Sequence, residues 1–190
     1  EMLRSLVGSE MCIRDSKYVQ GRDALLKFHE EMGYMGKRWL FVCSNSGYKA
    51  CHDKIEKSFE GLDDYRRYEI FGGISSNGEI NKMKAIVEQD NIDTVVAVGG
   101  GSAVDTAKAT AYYSGKHIVI VPTVAATDAP CTGLSVIYND DHSFDKYLFY
   151  PTNPDAVMVD TTVIANAPVK FLIAGICLLY TSDAADDSLR

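Results

Sequence analysis

Val95-Val-Ala-Val-Gly-Gly-Gly-Ser-Ala-Val-Asp-Thr-Ala-Lys-Ala109 decides how the rest of the chain is read. The apolar run Val95–Val98 predicts a short buried strand. Gly99, Gly100, Gly101 and Ser102 end it, and the Ala-rich stretch that follows favours helix. The expected result is a strand, a glycine turn and a helix N-terminus. Glycines open the backbone to positive φ and to close approach by a ligand. The unpaired N–H groups of a first helical turn, at the positive end of the helix dipole, suit a phosphate. The turn is therefore a candidate cradle for a diphosphate; a plain strand-to-helix turn, needing one glycine or two, is the simpler alternative. The spacing is neither G-x-G-x-x-G nor the G-K-S/T of a P-loop, so a standard Rossmann fingerprint and a Walker ATPase both fit poorly.

On both sides of this turn, strands alternate with helices. Apolar residues at 24, 25, 28 and 32 predict a helix over Asp23–Met35, and Arg38–Cys43 reads as a buried strand. Tyr48–Glu60 reads as a helix, Tyr65–Phe71 as a strand, and Asn77 to Gln89 as a helix with Ile80, Met83, Ile86 and Val87 on one face. Thr94–Val98, a helix over Ala103–Ser114 and the strand His117–Val121 continue the alternation. Leu134–Tyr138 and Lys146–Phe149 predict a hairpin around Asn139–His142, followed by a short strand Val157–Val159 and a turn or helix over Thr161–Ala165. The fold class is α/β: a Rossmann-like parallel sheet flanked by helices.

In such sheets ligands sit beyond the carboxyl ends of the strands. Three segments fall there: Ser44–Gly47, Gly99–Asp105 and Thr123–Thr132. The last carries Thr123, Thr127, Asp128, Cys131 and Thr132, whose small polar groups suit ribose and phosphate oxygens. A solvated loop rich in turn formers is the alternative.

Composition narrows the function. The chain has 190 residues, 46% hydrophobic and 24% charged, with a formal net charge of −7. That balance argues against a nucleic-acid surface or an anionic membrane as partner. No apolar run reaches transmembrane length and Glu1–Ser16 has no secretory core, so a cytoplasmic location is expected. The 5 cysteines are spread without a C-x-x-C, which favours reduced thiols.

The two ends read differently from the middle. Glu10-Met-Cys-Ile-Arg-Asp15 can be encoded by GAG ATG TGT ATA AGA GAC, and Cys177-Leu-Leu-Tyr-Thr-Ser182 by TGT CTC TTA TAC ACA TCT. Most of one string is the reverse complement of most of the other, as in the transposon end of sequencing-library adapters. Residues 1–16 and 177–190 are therefore expected to be translated adapter, and 17–176 a fragment of a dinucleotide-binding domain. Different codons at both ends of the DNA record would overturn this.

Read together, Gly99–Ala109 and Pro122-Thr-Val-Ala-Ala-Thr-Asp-Ala-Pro-Cys-Thr-Gly-Leu-Ser-Val-Ile-Tyr138 resemble the iron-containing alcohol dehydrogenase superfamily, within it the glycerol-oxidising branch. Lys17–Gly21, Lys146–Phe149, Asn153-Pro-Asp155, Val159-Asp-Thr161, Ala167-Pro168 and Phe171–Gly175 follow in the family's order. The resemblance implies a dehydroquinate synthase-like N-terminal domain, a C-terminal helical domain missing from this chain, and a homo-oligomeric parent. It implies NAD-linked oxidation of glycerol to dihydroxyacetone with a divalent metal, usually zinc. By match, Gly101, Ser102 and Asp105 fall where the family holds the cofactor diphosphate, and Gly99 and Gly100 of the same turn are expected to be cofactor-binding. Thr123, Ala126, Thr132, Leu134 and Tyr138 fall on the nicotinamide side, Thr127 among them is expected to be cofactor-binding, and Asp128 falls on the substrate-contacting aspartate. A turn-forming role for Asp128 is the alternative.

Three departures qualify this. Ser102 stands where the glycerol-oxidising branch usually has Lys, removing one charge-assisted bond to a diphosphate. Ser44 and Asn45 stand where the family's ribose-binding acid should lie, so NADP stays open beside NAD. After Ile176 the family's Gly-Asp, with the first metal ligand, is replaced by Cys177-Leu178, and His29, His52, His117 and His142 lack ligand spacing. No metal site is expected here, and the chain is expected to be inactive. A non-catalytic dinucleotide-binding module is one alternative. A glycerol-1-phosphate dehydrogenase or dehydroquinate synthase relative is another, though Pro122–Tyr138 has no basic residue for a substrate phosphate.

Overall fold

The structure, a computed structural model, describes the backbone of residues 11–13 and 16–187 and the side chains of residues 16–181. The expected N-terminal tail thus lies mostly outside the described residues, as do residues 188–190.

The strands are β1 (Met11–Ile13), β2 (Ser16–Gly21), β3 (Arg38–Cys43), β4 (Tyr65–Ile70), β5 (Thr94–Gly99), β6 (His117–Pro122), β7 (Leu134–Tyr138), β8 (Phe144–Phe149) and β9 (Ala156–Asp160). The α-helices are α1 (Phe28–Met32), α2 (Asn45–Ser58), α3 (Asn77–Gln89), α4 (Gly101–Ser114), α5 (Thr161–Asn166) and α6 (Val169–Asp187). One sheet runs β1-β2-β9-β6-β5-β3-β4. Its last six strands pair in parallel, and β1 pairs antiparallel with β2. The expected Rossmann-like sheet is present, and β7–β8 forms the expected separate hairpin.

Alternation along the strands builds two core layers. Trp39, Phe41, Cys43, Val96 and Val98 face α1 and α2, where they pack against Phe28, Cys51, Ile55 and Phe59. Leu40, Val42, Val95 and Ala97 face α3 and α4, packing against Met83, Val87, Val104 and Ala107. Covered on both faces, β5 is buried along its whole length, which is why it reads as a continuous apolar run. The chain leaves β3 towards β4 and returns to β5 on the other side of β3. Adjacent parallel strands whose connections depart in opposite directions open a crevice at their carboxyl ends.

Three elements differ from the sequence pattern or extend it. The helix expected over Asp23–Met35 is split into a 3-10 turn Ala24–Lys27, the short α1 and a second 3-10 turn Gly33–Met35. Asp23 starts it in the left-handed region (φ 53°), so the chain enters off the helical path. Strand β2 carries no apolar pattern because only Val19 is buried in it; its register with β9 defines it. Helix α6 runs through Ile176 to Asp187, leaving Leu172, Ile173, Ile176, Leu179 and Tyr180 exposed. Among the described residues no helix is long and apolar enough to cross a membrane.

Candidate functional site

Two helices start side by side at the crevice. Ser44 caps α2, its Oγ accepting from the Gly47 N–H at 3.0 Å, while its own N–H donates to the Val98 carbonyl. A Cβ on Gly47 would lie 2.5 Å from the Val98 oxygen, so only glycine lets α2 begin this close to β5. Helix α4 starts at Gly100, whose carbonyl accepts from the Val104 N–H at 3.1 Å and which offers no side-chain cap. The first-turn N–H groups of Gly101, Ser102 and Ala103 have no intrahelical acceptor, and Gly101 and Ser102 line the cavity beside the turn.

The glycine triad works by space, not by φ. None of Gly99, Gly100 and Gly101 has a positive φ, so the conformational freedom expected of them is not used. A Cβ on Gly99 would come within 2.8 Å of the Ala103 Cβ and 3.0 Å of the Ser44 Oγ. A Cβ on Gly100 or Gly101 would meet no clash, but would stand 3.5 Å from Val124 or Thr127 and fill the gap between α4 and the loop after β6. That gap suits a group that bonds to exposed N–H donors. The turn therefore fits a diphosphate, by a cradle that side chains at these positions would occupy.

Next to it is a cavity of about 240 Å³. Gly101, Ser102 and Asp105 supply its α4 wall; Thr127, Asp128 and Thr132 supply the loop wall; Leu134 and Tyr138 come from β7. Eight of the twelve predicted residues thus meet in one place. Gly99, at the end of β5, and Gly100, the cap of α4, do not line this cavity. Thr123 is buried, donates its N–H to the Gly99 carbonyl at 3.1 Å and opens instead onto a cleft shared with Ser46, Lys54 and Phe171. Ala126 lies against α6, where a Cβ on Gly175 would fall on the Ala125 carbonyl. A cavity of about 900 Å³ at the opposite end of the sheet holds none of the predicted residues.

Asp128 is exposed and faces both this cavity and an apolar pocket of about 560 Å³ that includes Val124 and Leu172. Its side chain makes no cap bond; the turn is closed by its backbone carbonyl, which accepts from the Cys131 N–H at 3.0 Å, and Thr127 Oγ1 accepts from the Ala129 N–H at 3.2 Å. Asp128 thus takes part in the turn through its backbone, and its carboxylate does not cap it.

Asp105 and Lys108, three apart on α4, form a buried ion pair at 3.5 Å. Lys108 Nζ donates to the carbonyls of Ala129 (2.9 Å), Thr132 (3.2 Å) and Leu134. One cation thus gathers the loop that presents Asp128, Thr132 and Leu134. Asp105 Oδ2 accepts from the Val136 N–H at 3.3 Å, while Oδ1 has no hydrogen-bond partner among the described residues. Burial pushes the Asp105 carboxyl up, against the pull of Lys108, and pushes the Lys108 ammonium down, against the pull of Asp105. A carboxylate committed to β7 and Lys108 braces the cradle more readily than it binds an anionic diphosphate. Sequence reasoning does not single out Lys108; the signal it offers is a lysine on a helix face otherwise made of Ala, Val and Thr, one turn after an acid.

A divalent metal does not fit the described residues. No three His, Cys, Asp or Glu side chains converge among them. His29 faces Asp64, His52 its neighbour Asp53 and His117 Asp155, while His142 occupies the hairpin turn at φ 71°.

The family model described as iron-containing alcohol dehydrogenase matches residues 15–161. The chain belongs to the iron-containing alcohol dehydrogenase family. It is 41% identical over 160 residues to glycerol dehydrogenase of Escherichia coli O6:H1, and 43% over 166 residues to that of Thermotoga maritima. Each match covers 84% of this chain but 44% and 43% of the relative, so the chain spans under half the length of these proteins. The crystal structure of a probable glycerol dehydrogenase from Sinorhizobium meliloti 1021 superposes with a TM-score of 0.75 at 38% identity, covering 84% of this chain and 43% of that one. The glycine turn, Asp128 and the hairpin all lie inside the matched stretch.

Proposed function

We propose that this chain carries the cofactor-binding part of a metal-dependent polyol dehydrogenase, whose complete form oxidises glycerol to dihydroxyacetone with NAD. The observation behind this reading is the meeting of the α4 N-terminus, Asp128 and β7 at one cavity, on a domain similar to glycerol dehydrogenases. When bound, the nicotinamide supplies the hydride acceptor. The chain's own residues bind and orient: the Gly101 and Ser102 N–H groups hold the diphosphate in the space the missing side chains leave. Lys108 fixes the loop, and the exposed Asp128 carboxylate accepts hydrogen bonds from polyol hydroxyls. The metal ligands are assigned to the part of the relatives that this chain does not match. The first turn of α2 has no acid, so the 2′-phosphate of NADP meets no carboxylate there.

Saturation-transfer NMR with NAD⁺, together with a glycerol oxidation assay following NADH, tests this. The 190-residue chain should bind NAD⁺ weakly and produce no NADH. Gly101→Val, which fills the cradle, should weaken binding by more than about tenfold. Wild-type binding retained in that variant, or no binding by the wild type, refutes the cofactor role; NADH formed from glycerol refutes the expected inactivity.

A further inference from the structure

Ser75 lies between β4 and α3, on the wall of the same cavity as Gly101 and Ser102. It is 1% exposed, and its Oγ has no hydrogen-bond partner among the described residues. Its backbone is fixed, since its carbonyl accepts from the Tyr138 N–H at 2.9 Å. The adjacent Ser76 shows what a structural serine does here: its Oγ accepts from the Glu79 N–H at 3.3 Å and donates to Asp140 Oδ1 at 2.6 Å. Ser76 thus starts α3 and docks the hairpin, whereas the hydroxyl of Ser75 holds nothing. A buried hydroxyl without a partner destabilises a fold, and such groups are few in native proteins. Rotation about one bond turns this hydroxyl within its own wall, and the donors across the cavity, the first-turn N–H groups of α4, share its need for an acceptor.

We propose that Ser75 is a further cofactor-contacting residue, its hydroxyl donating to an oxygen of the diphosphate–ribose stretch that the N-terminus of α4 also faces. This rests on the dinucleotide reading above and adds to it a contact from the β4–α3 connection.

The test compares the wild-type chain with Ser75→Ala, using saturation-transfer NMR titrations of NAD⁺ and of ADP-ribose, which lacks the nicotinamide, plus thermal melts without ligand. Both ligands should bind Ser75→Ala about fivefold more weakly, the loss of one hydrogen bond, and its melting temperature should not fall. Unchanged affinity for both ligands overturns the assignment alone. A loss confined to NAD⁺ moves the contact to the nicotinamide and also overturns it. A lower melting temperature or an unfolded variant means that the hydroxyl has a partner within the protein, which overturns the assignment as well. If the wild type binds neither ligand, the dinucleotide reading fails together with this one.

Discussion

Strand β5 and hairpin β7–β8 lie against the same helix, α4, and are held to it in different ways. Towards the sheet, α4 presents Val104, Ala107 and Ala111, which pack on Val95, Ala97 and Leu40 with no polar atom involved. Towards the hairpin it presents Asp105 and Lys108, which reach the Val136 N–H and the carbonyls of Ala129, Thr132 and Leu134. A small apolar contact of Ile137 with Ile80 and Ala109 completes that side. Apolar packing is non-directional and tolerant; the polar ties fix individual carbonyls in place. The side that carries the glycine turn is built for stability, and the side that carries Asp128 and Thr132 for placement.

The largest effect that would break the comparison is on the sheet side. Phe41 is fully buried, stacked on Tyr68 at 4.5 Å and tilted against Phe28 at 5.7 Å. Phe41→Ala should lower global stability by about 4 kcal/mol, through lost burial and the cavity left behind. Urea melts followed by far-UV dichroism and by tyrosine fluorescence should shift together, because the hairpin has no independent core. Separate transitions for the two probes would mean that the hairpin side is stable alone.

Lys108→Met should come next, at about 3 kcal/mol, because it leaves three carbonyls and the buried Asp105 carboxylate uncompensated. Its signature should be local. Hydrogen exchange should accelerate at Leu134–Tyr138 more than at Thr94–Gly99, whose contacts with α4 do not involve the ammonium. Adding Asp105→Asn should recover part of the loss by removing the unpaired charge. Equal loosening of β5 and β7 would show that the ion pair supports the whole fold rather than the loop.

The same contrast explains what could be read from the sequence. Arg38–Cys43, Thr94–Gly99 and His117–Pro122 are legible because strands covered on both faces write themselves as unbroken apolar runs. The glycine turn and Asp128 are legible through local pattern and resemblance. Ser75 and Lys108 are not, since their roles depend on groups far along the chain: Tyr138 for one, residues 129–134 for the other. Strand β2 is hidden for the same reason, its pairing with β9 spanning most of the chain. Sequence pattern places the glycines correctly but for an incomplete reason, because clearance from Ser44, Ala103, Val124 and Thr127 is a tertiary fact.

The smallest effect is in pH, and it sharpens the comparison by sign. Burial, opposed by the Lys108 charge, holds the Asp105 carboxyl above its ordinary value. The native state therefore takes up this proton at higher pH than the unfolded chain does. As pH falls through that raised value towards the ordinary one, the wild type gains stability relative to Asp105→Asn. Glu56, on the sheet side, behaves oppositely. Burial pushes its carboxyl up, but hydrogen bonds from Arg66 and Tyr68 pull it below the usual glutamate range. Its contribution is present above the ordinary glutamate value and is lost as pH falls through the depressed one. Carboxyl ¹³C titrations should place Asp105 above the ordinary aspartate value and Glu56 below the ordinary glutamate value, and melts across the carboxylate range should show the wild type gaining stability relative to Asp105→Asn as acid is added. An Asp105 that titrates below its ordinary value would mean that Lys108 outweighs burial, so that the hairpin side is stabilised by its charges rather than merely positioned by them.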